Sequence, residues 1–457
     1  DLLITLEYGY EAFPSFSAFT TDEEKNRNVS QELRLVSKGA GPWNWIGGLF
    51  YLTQYAPKSS KEFTPHYDEF LGGVLRPDSL EYYALEEDDL TEKAVFGEVG
   101  YQFTDKWQIT LGTRYYDYKL IIDSGAATPL YLTSIGDLPP NETGLALERN
   151  SQSDSGWLYK FNTSYHFKHD LMGYFTISEG YRIGASNGVA PCPVPLPPNQ
   201  IVCALPDEVQ YFPDKTTNYE IGIRSQWLDR RLTFNGSLYY IDWKKPQLET
   251  QTIHGAQPIT KNGEGARSEG IEASLDMRVN ERISIAVGLS HTIAELSADA
   301  PDLLLEYAPP GFAPTGTVTA QAGDRLPGSP RDQGTVEFNY RLPLNSGRGL
   351  DFNYGIAAIG NVITNIGNRA DGETLGGYAV HSASAVMHSG AWDVGLYATN
   401  LLNKYAETGR RSREAFVQTV ADMNGDPVHV RSYAHEILRP REIGLKFSYS
   451  VGGRTSQ

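Results

Sequence analysis

The chain of 457 residues has two cysteines, four methionines, no long apolar run and no excess of positive charge. Each shortage excludes something. The longest purely apolar stretches are a few residues, against the ~20 that a membrane-spanning helix requires, so no transmembrane helix is expected. A formal net charge of −17 argues against a nucleic-acid partner, which needs basic surface. Acidity alone identifies no partner. The nine histidines are scattered, without HExxH or paired spacing, so no metal site and no cofactor are inferred. Cys192 and Cys203 share one Pro-rich stretch, PCPVPLPPNQIVC, and are too few for a metal site. A local disulfide made in an oxidising compartment is the better reading, with two unpaired thiols as the alternative. Asp1 begins inside the strand-like LLITLEYGY, with no Met, basic region or apolar core before it, so any signal peptide is expected to be missing. Length would allow two or three domains, but no shift in composition marks a boundary.

What is abundant points to strands. Aromatics make up 12%, with 28 Tyr and 45 Gly. That composition favours strands and turns over helices. About seventeen segments alternate apolar and polar residues. They lie near 2–8, 13–20, 28–38, 43–55, 92–103, 106–119, 154–167, 170–181, 216–228, 230–243, 268–279, 281–293, 331–341, 349–362, 377–388, 391–400 and 438–450. In 107–117, Trp107, Ile109, Leu111, Thr113 and Tyr115 alternate with Gln108, Thr110, Gly112, Arg114 and Tyr116. In 442–451, Ile443, Leu445, Phe447, Tyr449 and Val451 alternate with Glu442, Gly444, Lys446, Ser448 and Ser450. The second set, rich in charge and glycine, suits a hydrated lumen and not a packed sandwich core. Aromatics near the ends of the first set, such as Trp107, Trp227 and Trp392, suit membrane interfaces.

The links between segments alternate in kind. Thr104-Asp105, Lys168-His169, Leu228-Asp229-Arg230, Asn280-Glu281 and Ser389-Gly390 are tight turns, whereas 56–91, 120–153, 182–215, 244–267, 296–329 and 401–437 are long loops. Short periplasmic turns and long external loops are the mark of an outer-membrane β-barrel. A mean hydropathy of −0.39 does not oppose this, because half of each strand faces a polar lumen. The last strand should descend to the periplasm. Alternating back through seventeen makes the first descend too, and two descending strands cannot close an antiparallel barrel. Either the count is off by one or strands are missing before Asp1, and the abrupt start favours the second.

Several segments resemble the barrel of a TonB-dependent outer-membrane receptor. These are SQELRLVS (30–37), WIGGLFY (45–51), FGEVGYQFTDKWQITLGTRYYDY (96–118), SEGYRIGASN (178–187), NYEIGIRSQWLDRRLTFNGSLYYIDW (218–243), SEGIEASL (268–275), RLPGSPR (325–331), GLYATNLLNKY (395–405) and LRPREIGLKFSY (438–449). Each is weak alone; in this order and spacing they are specific. The resemblance implies an all-β fold, an antiparallel transmembrane barrel of the ~22-stranded receptor type, with residues 1–451 as part of the wall and 452–457 as a polar tail. It implies a plug domain upstream, capture of a ferric siderophore, cobalamin or oligosaccharide, and import driven by the TonB–ExbB–ExbD complex acting on a missing N-terminal segment. Barrels of this family end on an aromatic residue, whereas here Tyr449 is followed by Val451 and GGRTSQ.

Candidate chemistry is sparse. GASNG (184–188) fits the G-x-S-x-G elbow, but it ends a strand and opens a Pro-rich loop where catalysis needs a strand-to-helix turn and an acid–His pair. Asp422, Asn424 and Asp426 alternate like the start of a calcium loop, but Gly425 falls early and Tyr433 stands where a bidentate Glu is required. Gly409-Arg410-Arg411-Ser412-Arg413 is either a lipopolysaccharide or anionic-ligand contact or a solvated loop tip. The acidic, aromatic loop 56–91 could hold a cationic or sugar-like ligand, or meet divalent ions at the lipopolysaccharide surface. Asn141-Glu142-Thr143 fits a glycosylation sequon that a bacterial outer-membrane protein has no reason to use. No catalytic residue is expected. Strand parity points Arg114, Tyr116, Arg182, Glu220 and Arg224 inward, either toward a ligand or as lumen lining against a plug. The expectation is therefore an outer-membrane receptor and transporter. The alternatives are a passive porin, separable by the upstream sequence, and a soluble all-β binding protein, separable by its behaviour without detergent.

Overall fold

The computed structural model describes residues 2–9, 17–39, 41–65, 76–196, 203–255, 257–306, 316–345, 347–370, 372–410, 417–421, 427–431 and 435–451. The chain opens with β1 (Leu2–Gly9), β2 (Ser17–Glu24), β3 (Arg27–Val36), β4 (Trp43–Phe63), β5 (Leu80–Thr104) and β6 (Trp107–Ala127). A six-residue helix, Pro129–Ser134, precedes β7 (Glu148–Lys168) and β8 (Leu171–Arg182). The short β9 (Ala185–Ser186) and β10 (Gln210–Tyr211) lead to β11 (Asp214–Trp227) and β12 (Leu232–Lys244). A hairpin of β13 (Gln247–Gln251) and β14 (Pro258–Asn262) separates these from β15 (Gly265–Arg278) and β16 (Ile283–Leu296). Another, β17 (Ala300–Glu306) with β18 (Gly316–Ala320), precedes β19 (Asp332–Pro343) and β20 (Arg348–Ile359). The short β21 (Val362–Ile363) and β22 (Thr374–Leu375) precede β23 (Tyr378–Ser389) and β24 (Trp392–Thr399). The last loop carries β25 (Glu407–Arg410), β26 (Val417–Ala421), β27 (Pro427–Arg431) and β28 (His435–Ile437), and β29 (Glu442–Tyr449) follows.

One antiparallel sheet contains seventeen of these strands. Two of them, β2 and β3, lie end to end along β4: β3 pairs with Ile46–Tyr55 and β2 with Lys58–Phe63. The wall is therefore sixteen strands wide. This corrects the seventeen read from the sequence, where the charged run DEEKNR (22–27) breaks the apolar rhythm and makes one long strand look like two. It also reverses the expected direction of the first strand. With sixteen strands and a descending last one, β1 ascends. Among the described residues no pairing joins β1 to β29.

Alternation sorts the two faces as expected. Ile443, Leu445, Phe447 and Tyr449 are exposed on one face, as are Tyr219, Ile221, Ile223 and Trp227. Leu445 is 64% exposed. In water such rows would form an apolar patch far beyond a few hundred Å². On a barrel they face hydrocarbon. Aromatics cluster near the tight turns. Trp43 and Tyr101 have ring centroids 4.5 Å apart, Phe103 and Trp107 4.7 Å, and Trp392 and Tyr449 4.6 Å. That is the girdle of a membrane interface.

The inward face solves a space problem with glycine. Directly across from a glycine on the neighbouring strand lie Phe96 (Gly48), Tyr116 (Gly156), Tyr174 (Gly222), Tyr239 (Gly270) and Tyr397 (Gly444). At Gly222 the Tyr174 ring occupies the place a Cβ would take. Rings thus lie flat on the wall instead of projecting into the lumen, and they cover the exposed glycine backbone.

The expected loops hold more order than the sequence showed. Most of 56–91 continues β4 and β5 as a tall ribbon, and β6–β7 rise beside it. The buried side chain of Arg76 ties this ribbon to its neighbour, donating to Asp78, to Thr133 Oγ1 at 3.2 Å and to Glu142 O at 2.7 Å. Burial pushes the Asp78 carboxyl up, but the Arg76 guanidinium and the Leu80 N–H outweigh it and hold it below its usual range.

Candidate ligand site in the upper lumen

Above the membrane band, the inward residues of β5 and β6 turn apolar. Leu90, Ala94, Tyr116, Tyr118, Leu120 and Ile122 are buried together, with Phe50, Leu158 and Tyr181 against them. Charges and hydroxyls sit on this bed already paired. Arg114 donates to Glu92 at 2.7 Å, and its guanidinium lies 5.0 Å from the centre of the Phe50 ring. Tyr116 donates to Asp154 at 3.0 Å and stacks on Tyr181 with centroids 3.7 Å apart.

A second group forms where β8, β11 and β12 reach the loops. The buried Asp214 carboxylate accepts from Arg182 Nε at 3.0 Å, from Trp243 Nε1 at 2.9 Å and from the Gln247 N–H at 3.3 Å. The Arg182 guanidinium lies 5.0 Å over the Trp243 ring. Its side chain is 53% exposed whereas that of Asp214 is 2% exposed, so the pair presents a held, half-open cation to the lumen. Lower on the same wall, Tyr174 donates to Glu220, and Arg224 lies 5.4 Å over the Tyr174 ring.

All five residues singled out by parity face inward, but they form three groups rather than one: Arg114 with Tyr116, Arg182 alone at the top of β8, and Glu220 with Arg224 below. Tyr181 escaped sequence reasoning. Its parity is that of Phe175 and Ile177, which face outward, but β8 leaves β7 after the Lys160–Ser178 pair and its freed end brings the ring onto Tyr116. Asp214 escaped because it lies at the edge of a loop with no periodicity to mark it.

The loop after β8 roofs this region. Gln152 Nε2 donates to Tyr211 O at 3.2 Å, and Gln247 Nε2 to Ile183 O at 2.8 Å. Asn187 donates to Glu208 O at 2.7 Å and to Thr260 O at 2.8 Å, and accepts from the Thr260 N–H at 2.9 Å. The Ser186 hydroxyl of GASNG donates to Val209 O at 3.2 Å and accepts from the Gly188 N–H, with no acid–His pair among its partners. The motif is thus a brace for the loop. A disulfide joins Cys192 and Cys203, whose Cα atoms are 4.8 Å apart. Asp422–Asp426 and Arg411–Arg413 lie outside the described residues. Among the described residues no cluster of three or more His, Cys, Asp or Glu is arranged to hold a metal.

A sixteen-strand wall, lipid-facing rows, tall external ribbons and a half-roofed polar lumen define the architecture. The family described as "TonB dependent receptor-like, beta-barrel" matches residues 4–401. The chain belongs to that family. Its members are outer-membrane transport receptors, not enzymes, and this receptor barrel lies in the outer membrane. The receptor barrel is similar in fold to the ferric yersiniabactin uptake receptor FyuA from Yersinia pestis, with TM-score 0.69 and 16% identity over 94% of this chain and 55% of that one. It is also similar to the ferric-catecholate import receptor Fiu from K12 E. coli, with TM-score 0.62 and 16% identity over 97% of this chain and 59% of that one. A third is the ferric citrate transporter FecA, with TM-score 0.58 and 13% identity over 98% and 57%. The receptor barrel therefore spans little more than half the length of these proteins.

Two of the segments that carried the resemblance prove to be braces at strand tops. In RLPGSPR, Arg325 donates to Asn361 O at 2.7 Å and to Asn361 Oδ1 at 3.1 Å. In NLLNKY, the buried Asn400 donates to Lys404 O and Arg439 O at 2.9 Å each and accepts from the Lys404 N–H at 2.7 Å. Replacing Asn400 by Ala leaves three partly buried backbone groups without this partner, at about 1–3 kcal/mol in total. The expected result is faster proteolysis in 401–441 with the strands unaffected; unchanged cleavage there would refute the brace.

Proposed function

We propose that this barrel is the wall of a receptor that captures a scarce nutrient at its external loops and upper lumen and imports it with TonB-derived energy. The observation that carries this reading is the aromatic bed of Tyr116, Tyr118, Tyr181 and Phe50, dotted with paired charges, together with the half-open Arg182 held separately at the top of β8. Apolar walls with a few fixed polar groups suit a small organic ligand. Ferric siderophore, cobalamin and oligosaccharide are the candidate classes. The ferric chelate leads, because FyuA, Fiu and FecA are each named for one. TonB–ExbB–ExbD would act through a segment outside this chain, and outer-membrane lipid and lipopolysaccharide would surround the wall. Arg114, Glu220 and Arg224 would line the path or meet a plug, and Tyr116 with Arg182 would touch ligand.

The test is uptake of ferric, cobalamin and glycan sources by a deletion strain carrying the wild-type or a variant gene. Loss of one ring in the stack, by Tyr181→Ala, is expected to weaken binding about tenfold, as removal of an aromatic contact commonly does. Uptake that persists without TonB and rises linearly with concentration would instead identify a passive porin. A deletion strain that grows normally on every source would end the transport reading.

A further inference from the structure

The upper half of β7 has a free edge. β7 pairs with β6 from Glu148 to Tyr165, but with β8 only from Lys160 downward. Above Ser178 the chain bends inward instead of climbing beside β7. Tyr181 stacks on Tyr116, Ile183 and Ala185 pack on the apolar bed, and the Gly184 N–H donates to the Tyr118 hydroxyl at 3.2 Å. The chain thus passes behind β7 and leaves its edge uncovered. Two contacts show which backbone groups are left there. The Tyr159 N–H turns toward β8, where it donates to the Glu179 carboxylate at 3.1 Å. Leu158 O turns the other way and accepts from Thr113 Oγ1 of β6 at 3.2 Å. Backbone groups alternate sides along a strand, so the N–H and C=O groups of Ser151, Ser153 and Ser155 point to the free side. Among the described residues none of these has a backbone partner there, and all three serines are exposed. Tyr115 and Trp157, outward rings 5.1 Å apart, mark the upper membrane interface, so the serines above them stand in water. The edge also lacks the usual guards. The run ERNSQSDSGW (148–157) holds no proline and no lysine, and its register with β6 has no bulge.

We propose that this edge is a docking site for an extended, cationic segment of another protein outside the cell, added to β7 as an antiparallel strand. Donors and acceptors that recur on every second residue, about 7 Å apart, are matched by a polypeptide backbone of the same repeat. A second copy of this chain does not fit. Two receptors in one membrane both send β7 downward, so their edges cannot run antiparallel, and strands tilted to the membrane normal would cross. The charge of the partner follows from Asp154. This residue lies between Ser153 and Ser155, half-buried, accepts from Tyr116, and has no cation beside it among the described residues. The serines on either side would form hydrogen-bonded pairs with the incoming strand. Asp154 then falls in a non-hydrogen-bonded pair, where facing side chains come closest. A lysine or arginine opposite completes it. The site is separate from the small-ligand site of the upper lumen and stands whether or not the barrel imports a nutrient.

The test uses the full receptor in lipid nanodiscs. The probe is a fluorescent peptide of alternating threonine and valine, long enough to span 149–157, with one central lysine. Binding is read by fluorescence anisotropy, and amide hydrogen exchange is followed in 148–159. At saturation the peptide should slow exchange at Ser151, Ser153 and Ser155 about tenfold, the worth of roughly one backbone hydrogen bond. A copy N-methylated on alternate residues, which cannot donate to the edge, should give no protection. Glutamate in place of the lysine should weaken binding about fivefold, and Asp154→Asn should erase that difference. Ser155→Pro removes one edge N–H and leaves the β6 ladder whole. That receptor should fold, judged by heat-modifiable migration on a gel, and should bind the lysine peptide about tenfold more weakly. Absence of protection by the lysine peptide, equal protection by its N-methylated copy, or wild-type binding by Ser155→Pro would overturn the docking site. So would a Ser155→Pro receptor that fails to fold, because that N–H would then serve the barrel itself.

Discussion

An arginine in place of Leu275 is expected to cost about 2–4 kcal/mol of folding free energy in the bilayer, the penalty for a cation near the midplane on the lipid face of a barrel. Leu275 lies on the outward row of β15 between Ala273 and Met277 and pairs with Phe234 and Val287 on flanking strands. Its neighbour Ser274 points the other way, into the lumen, so Ser274→Arg places the same charge in water and should leave folding nearly unchanged. Both variants are compared by urea titration in vesicles. Equal costs would mean that the two faces are wrongly assigned, and the barrel reading of the alternation would fall with them.

That contrast was visible in the sequence because the membrane enforces it. Where a strand crosses lipid, one face must be apolar and the other is free to be polar, and period two stands out, as in 442–449. Beyond the bilayer both faces meet water and the signal fades. The tall ribbon of β4 and β5 was therefore read as a loop from residue 56 onward: KSSKEF and EEDDLTEK carry charge on both faces, and only the ladder pairing shows that they are strand. The same blindness divided β2 from β3 at DEEKNR, although both lie along β4. The small external hairpins, such as β13–β14 with five residues on each arm and only Leu248 and Ile259 apolar among the strand residues besides Pro258, are too short to show a period and left no trace either.

The candidate site was legible to the same extent. Parity placed Arg114, Tyr116, Arg182, Glu220 and Arg224 on the lumen side, because parity holds as long as a strand keeps its partner. It failed at Tyr181, where β8 loses β7. It was silent on partners, since a hydrogen bond from β8 to the first residue of β11 depends on loop closure across some thirty residues of chain. The Gly-rich inward face also had two causes the sequence could not separate: glycines that receive a ring from the next strand, as Gly222 does, and polar positions open to the lumen.

The largest effect within the site is expected at Asp214. Its carboxylate gathers three donors from three places: Arg182 on β8, Trp243 on β12 and the Gln247 N–H at the start of the β13–β14 hairpin. Asp214→Ala leaves the indole and the backbone N–H unpaired and removes the countercharge of Arg182. Breaking a buried pair costs about 3–5 kcal/mol; because the Arg182 head is half-exposed and can rehydrate, the lower end, about 3 kcal/mol, is expected. The loss should be local. β8 and β11 share twelve residue pairs, so the wall holds while Arg182 swings away from the Trp243 ring and the hairpin lifts. Ligand affinity should then fall by more than the tenfold expected for Tyr181→Ala, since both the cation and the roof are displaced. Asp214→Asn, which keeps an acceptor for Trp243 and Gln247 but not the charge, should recover loop order measured by hydrogen exchange in 245–262 without recovering affinity. If Asp214→Asn binds as the wild type does, the held cation at Arg182 plays no part in capture, and the site must be sought in the Tyr116–Tyr181 stack alone.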